Sequence, residues 1–78
     1  MPLKEILLRC MSELMQYDFS LEPYNWDDTF WSLGFNDILF NELIQMMEYE
    51  TGIVGVANVI CINDTVNGAA ERLLIAFE

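Results

Sequence analysis

The chain has 78 residues, of which 54% are hydrophobic, and thirteen acidic side chains against three basic ones give a net charge of −10. This length accommodates one hydrophobic core, so we expect a single domain that spans residues 1–78. A negative field of this strength repels phosphate backbones and anionic lipid headgroups, which excludes direct nucleic-acid or membrane binding and favours protein partners with basic surfaces.

The first predicted element is an amphipathic helix that begins at Leu3 and ends near Tyr17. Its apolar residues recur with helical spacing: Leu3, Ile6, Leu7, Cys10, Met11, Leu14 and Met15. A long connection over residues 18–35 follows. We expect it to pack along the helices because apolar side chains are frequent in it, namely Leu21, Tyr24, Trp26, Phe30, Trp31 and Leu33.

A second helix is predicted from Asn36 or Asp37 to Glu50, with Gly52 as the left-handed residue that closes it. Its apolar residues cover more than one face, which indicates either a central position or a surface exposed to a partner. A short helix is predicted near Ala57 to Cys61, after an extended entry.

The last predicted helix is capped by Asp64 or Thr65. One stripe holds its apolar residues: Val66, Ala69, Ala70, Leu73, Leu74 and Phe77. The pattern as a whole predicts an all-α domain of four helices, three long and one short.

The residue types argue against an enzyme and against a metal site. The chain has no histidine, and Cys10 and Cys61 are too few and too far apart in sequence for a metal motif. Both lie within apolar patterns, where a buried free thiol is the common case, and a disulfide between them is the alternative. Acid pairs such as Asp27 with Asp28 are expected by chance among thirteen acids. Charged residues interrupt the amino-terminal segment, and no apolar run approaches the roughly 20 residues of a membrane span, which favours a cytoplasmic protein.

The segment DDTFWSLGFNDILFNEL, residues 27–43, resembles the central motif of the acyl and peptidyl carrier proteins, approximately D-x-F-F-x-L-G-G-x-S-L in peptidyl carriers. The corresponding positions of this motif are occupied in the chain, without a gap, by Asp28, Phe30, Trp31, Leu33, Gly34 and Ile38. Glu42 with Leu43 is similar to a Glu-Leu pair of many acyl carriers, and residues 63–73 resemble the family's Thr-Val-x-x-x-Ala stretch. The resemblance implies a four-helix bundle with a long loop after helix 1 and a short helix 3.

The family's attachment serine has no counterpart in this chain, because Asp37 stands at its place. In the family that serine is esterified with 4′-phosphopantetheine, which carries acyl or aminoacyl groups. Without a hydroxyl at position 37 the chain is expected to hold no cofactor as written. A serine at that position would allow attachment of 4′-phosphopantetheine. Phe35 replaces a small residue and is expected to crowd the surface that a transferase approaches. Three histories stay open: natural loss of the site, an engineered substitution, or an unrelated helical protein that shares only the capping residues.

Carrier proteins are recognised through the start and outer face of the second helix, so the resemblance implies a docking surface here. We predict that Asp37, Glu42 and Glu48 supply its charge and that Leu39 or Phe40 supplies an apolar anchor. The partners would be enzymes of a fatty-acid, polyketide or nonribosomal-peptide type of pathway. The alternative for the two apolar side chains is simple burial.

A second hypothesis from another class is a small acidic immunity protein or antitoxin that covers the basic active site of a toxin or nuclease. It depends on an analogy of fold and charge. Aromatic anchors for such a surface are available at Tyr17, Tyr24, Trp26 and Tyr49.

Overall fold

The computed structural model describes residues 3–21 and 23–77, and the side chains of all these residues except Pro23 and Tyr24. The chain is all-α. Within these residues lie three α-helices, α1 (Leu3–Met15), α2 (Asp37–Thr51) and α3 (Val66–Phe77), and no strand beyond an isolated antiparallel bridge of Thr29 with Thr65. None of the described helices has the length and apolar composition needed to cross a membrane. Three short 3-10 helices also lie within the described residues: Phe19–Leu21, Pro23–Asp27 and Val56–Asn58.

Helix α1 ends two residues earlier than its apolar pattern predicts. Gln16 has a φ of 52°, in the left-handed region that a glycine usually occupies after a helix. The N–H of Tyr17 then donates to the carbonyl of Ser12 at 3.2 Å, which satisfies one of the last free carbonyls of the helix. The backbone reversal therefore stops α1 directly after Met15, the last apolar residue of its stripe.

The ends of α2 agree with the prediction. Asn36 is extended, and its side-chain oxygen accepts the N–H of Leu39 at 2.8 Å, so Asn36 is the N-cap and Asp37 is the first helical residue. At the other end Gly52 is left-handed with a φ of 71°, and its N–H donates to the carbonyl of Glu48. Both predicted boundary residues thus have their expected conformations.

A short helical turn is present near the predicted place, Ala57 to Cys61, but its bounds differ. One turn of 3-10 helix, Val56–Asn58, occupies this region, and the chain has left it by Cys61. Branched side chains such as Val56 and Val59 lose rotamer freedom in a helix. A longer helix is therefore poorly supported locally.

The connection between α1 and α2 is folded against the core for part of its length. Phe19 and Phe30 are buried, and Trp26 and Leu33 are half-buried. The indole N–H of Trp26 donates to the carbonyl of Phe19 at 2.9 Å, which ties the two 3-10 helices together. The prediction of packing is wrong for two of its residues, Leu21 and Trp31, which are exposed, and the side chain of Tyr24 lies outside the described residues.

Residues 28–31 are held beside the start of α3 by backbone hydrogen bonds. The N–H of Phe30 donates to the carbonyl of Asp64, and the N–H of Val66 donates to the carbonyl of Asp28, each at 3.2 Å. Thr65 is the predicted cap that the structure uses, because its hydroxyl accepts the N–H of Gly68 at 2.9 Å. This pairing fixes the loop that leads into α2.

Candidate functional site

The start of α2 presents residue 37 to solvent on a well-fixed backbone. Asp37 is exposed, and it follows directly after the capping residue Asn36. An acid in the first turn interacts favourably with the positive end of the helix dipole. Because the capping hydrogen bond belongs to Asn36, the side chain at position 37 is free to change without loss of the cap.

Three phenylalanine rings pack beneath this helix start. The ring of Phe30 lies 5.8 Å from that of Phe35 in an edge-to-face contact and 5.1 Å from that of Phe40, measured between centroids. Phe30 and Phe35 are both fully buried. The expectation that Phe35 crowds the surface is therefore wrong, because its ring is part of the core.

The apolar residues that are exposed at the helix start differ from those proposed as anchors. Leu39 and Phe40 are both half-buried and pack against the core. Ile38, by contrast, is 72% exposed, and Trp31 in the preceding loop is 61% exposed. Among the described residues, Ile38 and Trp31 are therefore accessible apolar side chains near residue 37, and neither was predicted as an anchor.

The position of Ile38 could have been found from the helical pattern. Leu43, Ile44 and Met47 are the buried residues of α2, and at about 100° per residue they occupy one side of the helix. Ile38 falls on the opposite side of the same projection. Its angle around the helix therefore indicates exposure to solvent.

The outer stripe of α2 is formed by Ile38, Glu42, Gln45 and Tyr49, which are spaced by four, three and four residues and are all exposed. Next to the stripe lies an open groove of about 660 Å³, which we call the helix-start groove. Ile38 and Phe40 line it from α2, and Ala57 and Ile60 line it from the opposite wall. An apolar side chain of a partner would fit there, with Asp37 and Glu42 at its edge.

The two predicted acidic contacts, Glu42 and Glu48, have different surroundings. Glu42 is exposed on the outer stripe. Glu48 is half-buried, and its Oε2 accepts the backbone N–H groups of Gly55 at 2.8 Å and Val56 at 3.1 Å. Glu48 therefore joins α2 to the 3-10 helix that forms the far wall of the helix-start groove, and its contact with a partner stays a prediction.

The three basic side chains each contact another part of the chain. The ammonium of Lys4 lies 4.1 Å from the ring centroid of Trp26. Arg9 bonds Glu50 at 2.9 Å, and Arg72 lies 3.8 Å from Asp64. None of these cations is on the outer stripe of α2, so the acids at the helix start keep their charge unpaired by them.

Cys10 and Cys61 are free thiols, one buried in α1 and the other exposed. Burial, reinforced by the nearby carboxylate of Glu50, raises the pKa of Cys10 above its ordinary value of 9.0. Among the described residues, no group of three or more histidine, cysteine, aspartate or glutamate side chains is arranged to hold a metal ion.

No family model, no curated protein and no solved structure matches the chain.

Proposed function

We propose that this chain is an acyl- or peptidyl-carrier-like docking domain without catalytic activity, which contacts enzymes of a fatty-acid, polyketide or nonribosomal-peptide type of pathway. The carrier-like bundle of four helices, with a long loop and a short third helix, is part of the proposal. The observation that carries it is the helix start, where Asp37 stands exposed after a fixed loop and beside an apolar groove. The resemblance of residues 28–38 to the carrier motif supports the proposed family.

The partner would dock on the start and outer stripe of α2. Ile38 is the apolar contact that the geometry favours over Leu39 and Phe40, because both of these pack against the core. Asp37 and Glu42 supply negative charge for a basic surface on the partner. As written, the chain would carry no 4′-phosphopantetheine, because a carboxylate cannot replace the hydroxyl that forms the phosphate ester.

The proposal is tested by attempted loading with coenzyme A and a phosphopantetheinyl transferase, followed by intact-protein mass spectrometry. We expect no mass increase for the unchanged chain and the addition of one phosphopantetheinyl group for Asp37→Ser. The substitution leaves Asn36 and its capping bond in place, so the helix start should persist. Asp37→Ala is the matched control, since it removes the carboxylate without adding a hydroxyl.

Two results would count against the proposal. Labelling of the unchanged chain would show that Asp37 does not block loading and that another hydroxyl, such as that of Ser32, accepts the group. Failure of Asp37→Ser to be loaded, with a circular dichroism spectrum equal to that of the parent, would remove the support for a carrier-like surface.

An acidic immunity protein or antitoxin is the second candidate, and the exposure of Tyr49 favours it. Tyr49 is 89% exposed and Tyr17 is 43% exposed, so both are available as aromatic anchors. Trp26 is less suitable because its indole N–H is bonded within the chain and Lys4 covers its ring. A toxin gene beside the gene for this chain, and inhibition of that toxin by the purified protein, would support this candidate over the first.

A further inference from the structure

A second groove lies between α1 and α2 and shares part of the outer stripe with the helix-start groove. We call it the α1–α2 groove, and its volume is about 480 Å³. Its lining residues are Leu14, Glu42, Gln45, Met46, Tyr49 and Glu50. No lysine or arginine is among these described lining residues. The groove therefore combines an apolar surface with negatively charged side chains.

The chemistry of this groove differs along its walls. Leu14 and Met46 are half-buried and provide an apolar floor, while Glu42 and Glu50 place carboxylates at its edge. Tyr49 stands beside them with a ring that is 89% exposed. An aromatic face attracts a cation, and a long basic side chain can lay its methylene stem on apolar surface while its head stays near carboxylates.

We infer that the α1–α2 groove binds a basic segment of a partner protein, one that presents an arginine or lysine next to an apolar residue. The apolar residue contacts Leu14 and Met46, and the cation lies against Tyr49 and the neighbouring carboxylates. Charge selects this occupant, because a second copy of the chain would bring another −10 against the same surface. The surface is separate from residue 37, so it stands whether or not the chain is carrier-like.

Arg9 provides a test of this inference, because its guanidinium competes with the partner's cation for the carboxylate of Glu50. Its guanidinium bonds Oε2 of Glu50 at 2.9 Å, and both side chains are partly exposed. An exposed pair of this kind contributes little to folding stability. Removal of the Arg9 charge therefore leaves Glu50 available to an incoming cation, and binding should become tighter.

The test is a titration of the ¹⁵N-labelled full chain with a short capped peptide of alternating leucine, arginine and glycine, followed by two-dimensional NMR. Shifts should concentrate at the amides of Leu14, Met46 and Tyr49. Tyr49→Ala should raise Kd by about threefold to fivefold, since a cation–ring contact is lost. Arg9→Gln should lower Kd by about twofold to fivefold, the range expected for one exposed charge pair. A variant that merely destabilised the fold would not bind more tightly.

The controls separate this groove from the helix-start groove. Ile38→Ala should leave Kd for the peptide unchanged, and a peptide with glutamate in place of arginine should not bind. Shifts centred on Asp37 and Ala57 would overturn the inference, as would weaker binding by Arg9→Gln. Concentration-dependent association of the chain with itself, abolished by Tyr49→Ala in sedimentation experiments, would assign the groove to a second copy and also overturn it.

Discussion

Asn36 and Asp37 stabilise the start of α2 in two different ways. The amide oxygen of Asn36 accepts the N–H of Leu39 and so satisfies a backbone donor that the helix itself leaves free. Asp37 contributes through its charge near the positive end of the helix dipole, and its side chain faces solvent. The structural role and the candidate functional role thus belong to adjacent residues.

This division predicts unequal costs of substitution. Asn36→Ala should lower the free energy of unfolding by about 1 kcal/mol, because the capping bond is lost. Asp37→Ala should cost about 0.3 to 1 kcal/mol at low ionic strength, and less at high salt, since only a screened charge–dipole interaction is removed. Urea unfolding followed by circular dichroism measures both, with Asn36→Ser as the control that keeps a cap. An Asp37→Ala cost larger than that of Asn36→Ala would contradict the assignment of the cap.

At the scale of elements, the long helices were predictable because several local signals agree. Helix α2 has a capping side chain at one end and a glycine at the other, and its observed bounds lie within a residue of those expected. Helix α3 begins directly after the capping residue Thr65. Where a local signal is missing, the predicted helix end is less accurate. Helix α1 stops before a left-handed glutamine, Gln16, and glutamine is not a residue type that indicates a helix end.

The start of α2 was predictable in its position along the chain, and the exposure of its side chains was less so. Residue type alone cannot separate a half-buried Phe40 from an exposed Ile38, because both are apolar and lie two residues apart. Burial depends on which side of α2 faces the packed loop and α1. The role of Glu48 was hidden for a similar reason, since its backbone partners lie seven and eight residues further along the chain.

Glu48 connects two elements, and this connection predicts a measurable cost. Glu48→Ala removes the acceptor of two backbone N–H groups at the start of the 3-10 helix. It should lower the free energy of unfolding by about 1.5 to 3 kcal/mol, the range for hydrogen bonds to a charged group. Glu42→Ala, an exposed acid on the same helix, is the matched control and should change stability by less than about 0.5 kcal/mol. Equal costs in urea unfolding would contradict the connecting role.

At the scale of the whole molecule, the excess of acidic over basic side chains has two opposing effects. In both proposals it attracts basic partners to the grooves of α2, and it opposes folding because like charges repel in the compact state. Only three cations offset thirteen acids, and each cation already contacts another residue. Under the two proposals, partner recognition and intrinsic stability are therefore coupled through one charge distribution.

Salt should consequently stabilise this protein. The distance over which charges interact falls from about 10 Å at 0.1 M to about 3 Å at 1 M ionic strength, so sodium chloride screens the repulsion among exposed acids. We expect the urea midpoint to rise over this range. A triple variant, Glu13→Gln, Glu42→Gln and Glu71→Gln, removes three exposed charges. It should be more stable than the parent at low salt and gain less from added salt. A parent midpoint that falls with salt would show that the ion pairs of Arg9 and Arg72 outweigh the repulsion.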